Sequence, residues 1–541
     1  MTNPSEMMRQ GRVEEVWRKY CGFLDLGLDN FMGIQERLLM EQLQLVAGSE
    51  LGQVLMGSDP PQSVEEFRRR VRLTTYEDYA VYFDAQREDV LVEKPVAWAH
   101  TSGRSGRFKW IPYSRRTFTK IGEGILTAVI LATARERGEV RIAPDDVLVY
   151  NVAARPYVSG YAALSLAELY QLRFVPPVQE MENMSFQERI EAGFQGGMRT
   201  GIDVIGSISS VLVKVGEQFA EGANGRGISR SMLHPAVLYR LGRGWLRSRL
   251  AGRPMLPKDL WQVKGLMAGG TDTAIYREQL IEYWGVEPFE AYGCTEAGAA
   301  VAVQAWSGAG MYFLPDACFL EFVPEEEWSR GRKDPDHIPE TVLLDEVRAG
   351  ERYEIVITNF HGGPLLRYRL HDLVRFVSQR DDVLGIDLPS MVFAGRDADL
   401  IDLAGFSGLI DEKLVWQAIV NAHVPHVDWA IRKELLGLHA GLHLYIEVTN
   451  GLGPDQVAER VHDELQSLNP FYGDLVEFLG IRPLHVTLLR PGTFTHYMGE
   501  RQAAGADLAH LKPPHMNAPD AVVTNLLRSS EAMTHTDNMG G

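Results

Sequence analysis

Apolar and polar positions repeat with different periods along the chain, and the period changes in a definite order. Between about residues 10 and 60 the spacing is helical. In "QERLLMEQLQLV", Leu39, Leu43 and Val46 recur at i, i+4 and i+7 with polar residues between them, a stripe that reads as core packing. From about 90 to 300, short apolar runs alternate with helical patterns. "DDVLVYNVA" (145–153) predicts a strand and "AALSLAELYQL" (162–172) a helix. "IDVIGSISSVL" predicts a further strand and turn. Tyr276, Leu280, Tyr283 and Trp284 share one face of a helix that stops before Gly285. Such alternation predicts α/β layers around a largely parallel sheet. From about 310 to 395 the texture changes to strands, in "MYFLPDACFLEFVP", "RYEIVITNF" and "LLRYRLHDLVRFV". Alternation through Arg352 to Thr358 predicts a half-exposed sheet or a small barrel.

Gly and Asp then accumulate in "FAGRDADLIDLAGFSG" (393–408), a candidate boundary, and helix, strand and helix patterns follow, with "GLHLYIEVTN" the clearest strand. The expected fold is therefore α/β. A large N-terminal domain (1–395) combines α/β subdomains with a β-barrel-like part, and a smaller α/β C-terminal domain covers 396–528. The last stretch, "SSEAMTHTDNMGG", carries little apolar content, so residues 529–541 are expected to be a disordered tail. The longest apolar run, Ile125 to Ala134, is too short to span a bilayer and predicts a buried helix.

Composition narrows the function classes. A formal net charge of -18 argues against nucleic-acid binding, which draws on Lys and Arg to neutralise phosphates. It leaves room for small anions held by local donors. The 3 cysteines, Cys21, Cys294 and Cys318, are far apart and lack metal-site spacing, which fits a reduced, cytoplasmic compartment. The N-terminus has no apolar signal-like region. Neither nucleic acid nor membrane is expected as a partner. Common nucleotide, zinc and serine-hydrolase signatures are missing: there is no G-x-x-x-x-G-K-[ST], H-E-x-x-H, C-x-x-C or G-x-S-x-G.

Three less common segments carry candidate chemistry. In "HTSGRSGRFKWIPYS" (100–114), Ser102, Gly103, Ser105 and Gly106 can turn backbone N–H and hydroxyl groups toward an anion, with Arg104, Arg107 and Lys109 adding charge; a surface turn is the plainer alternative. In "MAGGTDTAIYREQLIEYWGVEPFEAYGCTEAGAA" (267–300), Gly269 and Gly270 allow close approach of a flat ligand. Thr271, Asp272 or Thr273 is a candidate helix N-cap. The Tyr, hydroxyl and carboxylate of "YGCTEAG" offer a stacking face, a phosphate donor and a metal ligand, although Glu296 also suits an ordinary surface position. In "LLRYRLHDLVRF" (365–376), Asp372 can accept two ribose hydroxyls, while Arg367 and Arg369 also fit plain strand ion pairs.

Taken in order, these segments resemble the acyl-acid amido synthetases of the auxin-responsive family, within the acyl-adenylate-forming superfamily. "LTTYEDYAVYF" (73–83), "LWQVKGLMAGGT", "YFLPDACFLEFVPEEE", "YEIVITNFHGGPLLRYRLHDLVRF", "FAGRDADLI" and the terminal "GADLAHLKPPHM" stand at matching intervals from about residue 30 to 516. The resemblance implies a hinge near Arg396-Asp397 and a mobile C-terminal domain that closes over the site. It places Ser102, Gly103, Arg104, Ser105 and Gly106 around the ATP phosphates. Gly269, Gly270 and Tyr292, with Gly293 and Cys294 beside it, enclose the adenine. Thr295 contacts phosphate, Glu296 holds Mg²⁺, Asp372 takes the ribose hydroxyls with Arg369 and Arg396 nearby, and Lys512 reaches the phosphates or the acyl-adenylate. The implied cofactors are ATP and Mg²⁺. The implied partners are a small carboxylic acid and an amine or amino acid, with the protein a monomer or homodimer.

The chain departs from the family pattern at four places. Arg104 stands where Thr is common, Cys294 where Ser is common, and His371 where Gly usually precedes the Asp. The segment after the hinge, "AGFSGLIDEKL", lacks the family's acid–lysine pair; Ser407 falls near the lysine's place and Lys413 about two turns on. This favours Lys512 as the working lysine. A CoA ligase of the same superfamily and a catalytically weakened acyl- or nucleotide-binding protein are the competing readings.

Overall fold

The computed structural model describes residues 3–101, 109–220, 234–269, 273–307, 310–334, 336–396, 399–401, 410–436, 439–469, 472–473, 482–503 and 512–537. The described residues form two compact units that divide after Ala394.

In the larger unit, β1 (Ala97–His100) and β2 (Trp110–Tyr113) make an antiparallel hairpin. The alternating region builds a parallel sheet from β3 (Val147–Asn151), β4 (Arg173–Val175), β5 (Val204–Ile208), β6 (Gly265–Gly269) and β7 (Pro288–Phe289), in the order β4-β3-β5-β6-β7. Leu148, Tyr150 and Val204 face the main core, which also holds residues of the helices Arg115–Thr133 and Val158–Leu169. Val147, Val149 and Ile205 face a second core with Trp261 and Trp284. Apolar layers on both faces explain why these strands read as unbroken apolar runs. The apolar run from Ile125 lies in the helix Arg115–Thr133, capped by Ser114, whose Oγ accepts from the Thr117 amide. The helix predicted to stop before Gly285 is Thr273–Trp284.

The strand-rich region forms a seven-stranded sheet from β8 (Ala291–Cys294), β9 (Ala299–Gln304), β10 (Met311–Phe313), β11 (Cys318–Pro324), β12 (Arg352–Asn359), β13 (Tyr368–Ser378) and β14 (Ser390–Arg396). Its order is β11-β12-β13-β14-β10-β9-β8. One expectation fails here: β12 is buried on both faces rather than half-exposed. Its polar positions are inside because they have partners. Glu354 binds Arg369, and Thr358 Oγ1 accepts from the Arg367 amide.

In the smaller unit, β15 (His426–Leu436), β16 (His439–Val448) and β17 (Leu484–Leu488) form a three-stranded sheet. Trp429, Leu444 and Ile446 pack with Val415 and Val461, from the helices Glu412–Asn421 and Pro454–Leu468, into a separate core. The expected disordered tail is corrected: the helix Asp520–Asp537 continues through most of it. Leu526 is fully buried, and the serines find partners, Ser530 Oγ accepting from the Arg490 amide and Ser529 Oγ meeting His496 Nδ1. Residues 538–541 lie outside the described residues. No described helix is long and apolar enough to cross a membrane.

Candidate active site

The second and third sequence segments meet within the seven-stranded sheet. The Tyr292 hydroxyl, on β8, donates to Asp372 Oδ2, on β13, at 2.8 Å. Tyr292 is buried and its ring stacks on Phe393, with centroids 5.9 Å apart and planes at 21°. Asp372 is aimed there by a local irregularity. The pairing of β12 with β13 passes from Glu354↔Leu373 to Val356↔Arg369, so extra residues of β13 bulge between these pairs. Bulges of this kind redirect a side chain beside a functional site. Within the bulge His371 has φ 58°, the left-handed conformation that glycine adopts freely, at the position where the family pattern has Gly.

The two arginines of the segment carry ion pairs. Arg367 binds Glu321 through Nε at 3.0 Å and Nη2 at 2.8 Å, and its Nη1 donates to the Arg68 and Val71 carbonyls. Arg369 forms a two-point pair with the fully buried Glu354, Nε to Oε1 at 3.0 Å and Nη2 to Oε2 at 2.6 Å. The plainer alternative thus describes what both side chains do here. For Arg369 this commits Nε and Nη2 of the guanidinium to Glu354.

Thr295 and Glu296 sit in a turn between β8 and β9 that is pinned from two sides. The Thr295 carbonyl accepts from the Tyr113 hydroxyl at 2.7 Å and from the Gly298 amide at 3.2 Å. The Glu296 carbonyl accepts from Asn359 Nδ2 at 2.8 Å. The backbone is fixed by its neighbours, and both side chains are carried on a rigid turn. Gly293 has a packing reason of its own, since a Cβ there would stand 1.8 Å from the Ala299 carbonyl oxygen. Gly269 differs: it is exposed at the end of β6, and an added Cβ would meet only the Ser207 carbonyl oxygen, at 3.8 Å. Among the described residues, nothing else stands within 4 Å of that position, which leaves room for a flat group.

The electrostatics converge on the same spot. Burial, then the carboxylates of Glu296 and Asp372, push the Cys294 thiol well above its usual range. Burial, then Glu296, do the same for the Tyr113 phenol. Cys294 is therefore a neutral thiol, not a nucleophile. Two acidic groups facing one polar strand end, with a hard oxygen ligand in Glu296, suit a magnesium ion completed by ligand phosphates.

Ser102, Gly103, Arg104, Ser105, Gly106, Gly270 and the possible caps Thr271 and Asp272 lie outside the described residues, as does Ser407. The flanks of the 102–108 loop are held by Thr101, whose amide donates to the Lys109 carbonyl and whose Oγ1 accepts from the Lys109 amide. Arg396 ends β14, just past the division of the units, and Lys512 is exposed in the smaller unit.

Sequence reading missed several residues. Tyr113 and Asn359, the anchors of the turn, gave no signal because their partners are distant in sequence. Asn151 and Ser207, directly paired in register at the ends of β3 and β5, are buried without a hydrogen-bond partner among the described residues. Strand ends of this kind are where parallel α/β sheets bind ligands. His515 was passed over beside Lys512.

A parallel sheet, an antiparallel sheet with an acid-bearing turn at the end of β8, and a separate smaller unit make up an α/β fold shared with known proteins. The solved structures bear this out at the level of fold. One titled "GH3.15 acyl acid amido synthetase" has TM-score 0.65 and 17% identity, covering 92% of this chain and 94% of that one. A 2-hydroxyisobutyryl-CoA ligase has TM-score 0.54 and 15% identity over 85% of both chains. Family models match the GH3 family N-terminal domain over residues 23–145, its central domain over 311–396 and its C-terminal domain over 416–520, together more than half of the chain. The chain belongs to the GH3 family.

Among characterised relatives, a jasmonoyl–L-amino acid synthetase from Nicotiana attenuata is 27% identical over 285 residues, 49% of this chain and 46% of that protein. An indole-3-acetic acid-amido synthetase from Oryza sativa subsp. indica is 22% identical over 94% of this chain and 91% of its own length. The first of these matches spans less than half of the relative's length.

Proposed function

We propose that the protein is an ATP-dependent acyl-acid amido synthetase. It converts a carboxylic acid and ATP to an acyl-adenylate and pyrophosphate, then passes the acyl group to an amine or amino acid with release of AMP. The observation that carries this reading is the meeting of the pinned Thr295–Glu296 turn with the Tyr292–Asp372 pair, in a chain of this family.

The residue chemistry suits the reaction. A carboxylate resists amines because it is anionic and lacks a leaving group; adenylation supplies one. The first step is substitution at the α-phosphorus, where positioning and neutralisation of charge dominate. Gly269 leaves room for the adenine. Asp372 accepts the ribose hydroxyls while Tyr292 holds its Oδ2. Thr295 donates to phosphate. Glu296 would hold Mg²⁺, which when bound neutralises charge on the phosphates. The 102–106 loop surrounds the phosphates, with Arg104 as a cationic donor in place of the usual threonine hydroxyl. Lys512 serves the acyl-adenylate, and exclusion of water protects the activated acyl group.

ATP–pyrophosphate exchange over a panel of carboxylic acids tests the first step. Glu296→Ala should abolish the exchange, a loss of at least 100-fold on the scale of a removed charge-stabilising group, while an unchanged rate would sink the magnesium assignment. Product analysis with amino acids against CoA tests the second step. Amide and AMP are expected; a thioester alone would favour the CoA-ligase reading.

A further inference from the structure

The smaller unit buries an ionic cluster that the chemistry above does not use. His515 is 9% exposed, and both ring nitrogens face carboxylates: Nδ1 lies 2.5 Å from Glu412 Oε1 and Nε2 lies 2.7 Å from Asp428 Oδ1. One face of the ring stacks on Trp429, with centroids 4.4 Å apart and planes at 12°, and Trp416 meets it edge-on at 5.7 Å. Among the described residues, the charged groups around the ring are Glu412 on the helix Glu412–Asn421, Asp428 on β15, and Lys512 on its own segment, whose charge acts on Asp428. The backbone is tied down at the same point. The Ile431 amide donates to the His515 carbonyl at 2.6 Å, and Met516 bridges Ile431 in parallel register.

Only Pro513 and Pro514 separate His515 from Lys512. Proline fixes its own φ and restricts the residue before it to extended conformations. The stretch from Lys512 to Pro514 is therefore a short stiff strut, rooted at one end in a buried ionic anchor. A flexible linker would give the exposed lysine more backbone freedom than this one allows.

We infer that His515 is a positioning residue: clamped between Glu412 and Asp428, it acts through the Pro513–Pro514 strut to hold the Lys512 backbone where the ammonium serves the reaction. This rests on the reading of Lys512 as the lysine that serves the acyl-adenylate. Burial alone would lower the basicity of the imidazole, but the hydrogen bonds to Asp428 and Glu412 outweigh it and bring the pKa up to about 9. The anchor is thus a cation through the neutral range.

The test is a double-mutant comparison on the full chain, with pyrophosphate exchange and amide formation measured separately. His515→Gln should lower kcat of the lysine-dependent step about tenfold or more, with the KM for ATP within twofold. His515→Arg, which keeps a cation between the two carboxylates, should recover most of that loss and hold its activity above pH 9 better than the parent. Pro513→Gly/Pro514→Gly, which leaves the ring and both carboxylates in place, should reproduce the kcat loss while the smaller unit keeps the alkaline decline in stability that marks an intact cluster. In a Lys512→Ala background, His515→Gln should cost nothing further, because the two residues act in series. Additive losses, or a His515→Gln enzyme with parental kcat, would overturn the inference. A fully active Lys512→Ala enzyme would overturn both it and the role given to Lys512. Absence of exchange with every acid in the parent enzyme would instead strike at the proposed activity itself.

Discussion

His371 occupies a backbone conformation that most side chains avoid. At φ 58° its Cβ crowds the carbonyl, a cost of about 1–2 kcal/mol for an L-residue that glycine escapes. The side chain recovers part of this through Glu354, whose Oε1 lies 3.4 Å from its Nδ1. Glu354 is already paired with Arg369, so the histidine is a secondary partner. Replacing it should relieve more strain than it removes attraction. His371→Gly is expected to raise stability by up to about 1 kcal/mol in urea titration, with the bulge and pyrophosphate exchange retained. A loss of stability greater than that would show that the contact with Glu354, not the backbone, decides the site. The position was legible in part: the departure from glycine stood out in the sequence, but the bulge that demands glycine is a property of the β12–β13 pairing. Arg369 shows the opposite limit. The family resemblance placed it near the nucleotide and its strand setting suited an ion pair, but only the fold could reveal Glu354 opposite it, because fifteen residues separate the partners in the chain.

Elements whose apolar residues coincide with their buried positions were read well, because pattern and burial then agree. The strands β3 and β5 and the helices Arg115–Thr133 and Thr273–Trp284 are of this kind. Elements whose polar positions are internally paired were misread, as β12 and the helix Asp520–Asp537 show. A buried Glu or Ser looks solvent-facing until its partner is known. The anchor of the terminal segment belongs to the same class and has a consequence for stability. His515 binds its proton more tightly when folded, with a pKa of about 9, than in the unfolded chain, where about 6.5 is normal. Its contribution is therefore complete below about pH 6.5 and fades as the pH rises through about 9. The difference amounts to something on the order of 3 kcal/mol. Denaturation of the smaller unit, followed by the fluorescence of Trp416 and Trp429, should weaken between about pH 7 and 9.5 in the parent. In His515→Arg this alkaline decline should flatten. Equal slopes in both proteins would place the pH dependence elsewhere.

At the scale of the molecule, the chain divides its chemistry between two units that do not share a core. Trp261 and Trp284 belong to the larger, Trp429 to the smaller. Of the groups proposed to receive ATP, Gly269, Tyr292, Thr295, Glu296 and Asp372 lie before Ala394, whereas Lys512 lies after it. The glycine- and aspartate-rich stretch at 393–408 spans the division, although spacing alone could not show that each side packs independently. Separate units predict separate transitions in calorimetry, since chains of more than one domain commonly depart from a single two-state step. ATP with magnesium should then raise the transition of the larger unit and leave that of the smaller nearly in place. A ligand that binds only the folded form adds about 2.7 kcal/mol at a hundredfold excess over its Kd, enough for a shift of a few degrees. The two transitions can be told apart because the His515 variants move only the smaller one. A shift confined to the smaller unit would mean that the nucleotide is held mainly by the lysine-bearing segment. In that case Asp372 and Tyr292 would form a structural pair within the sheet and not the floor of a binding site.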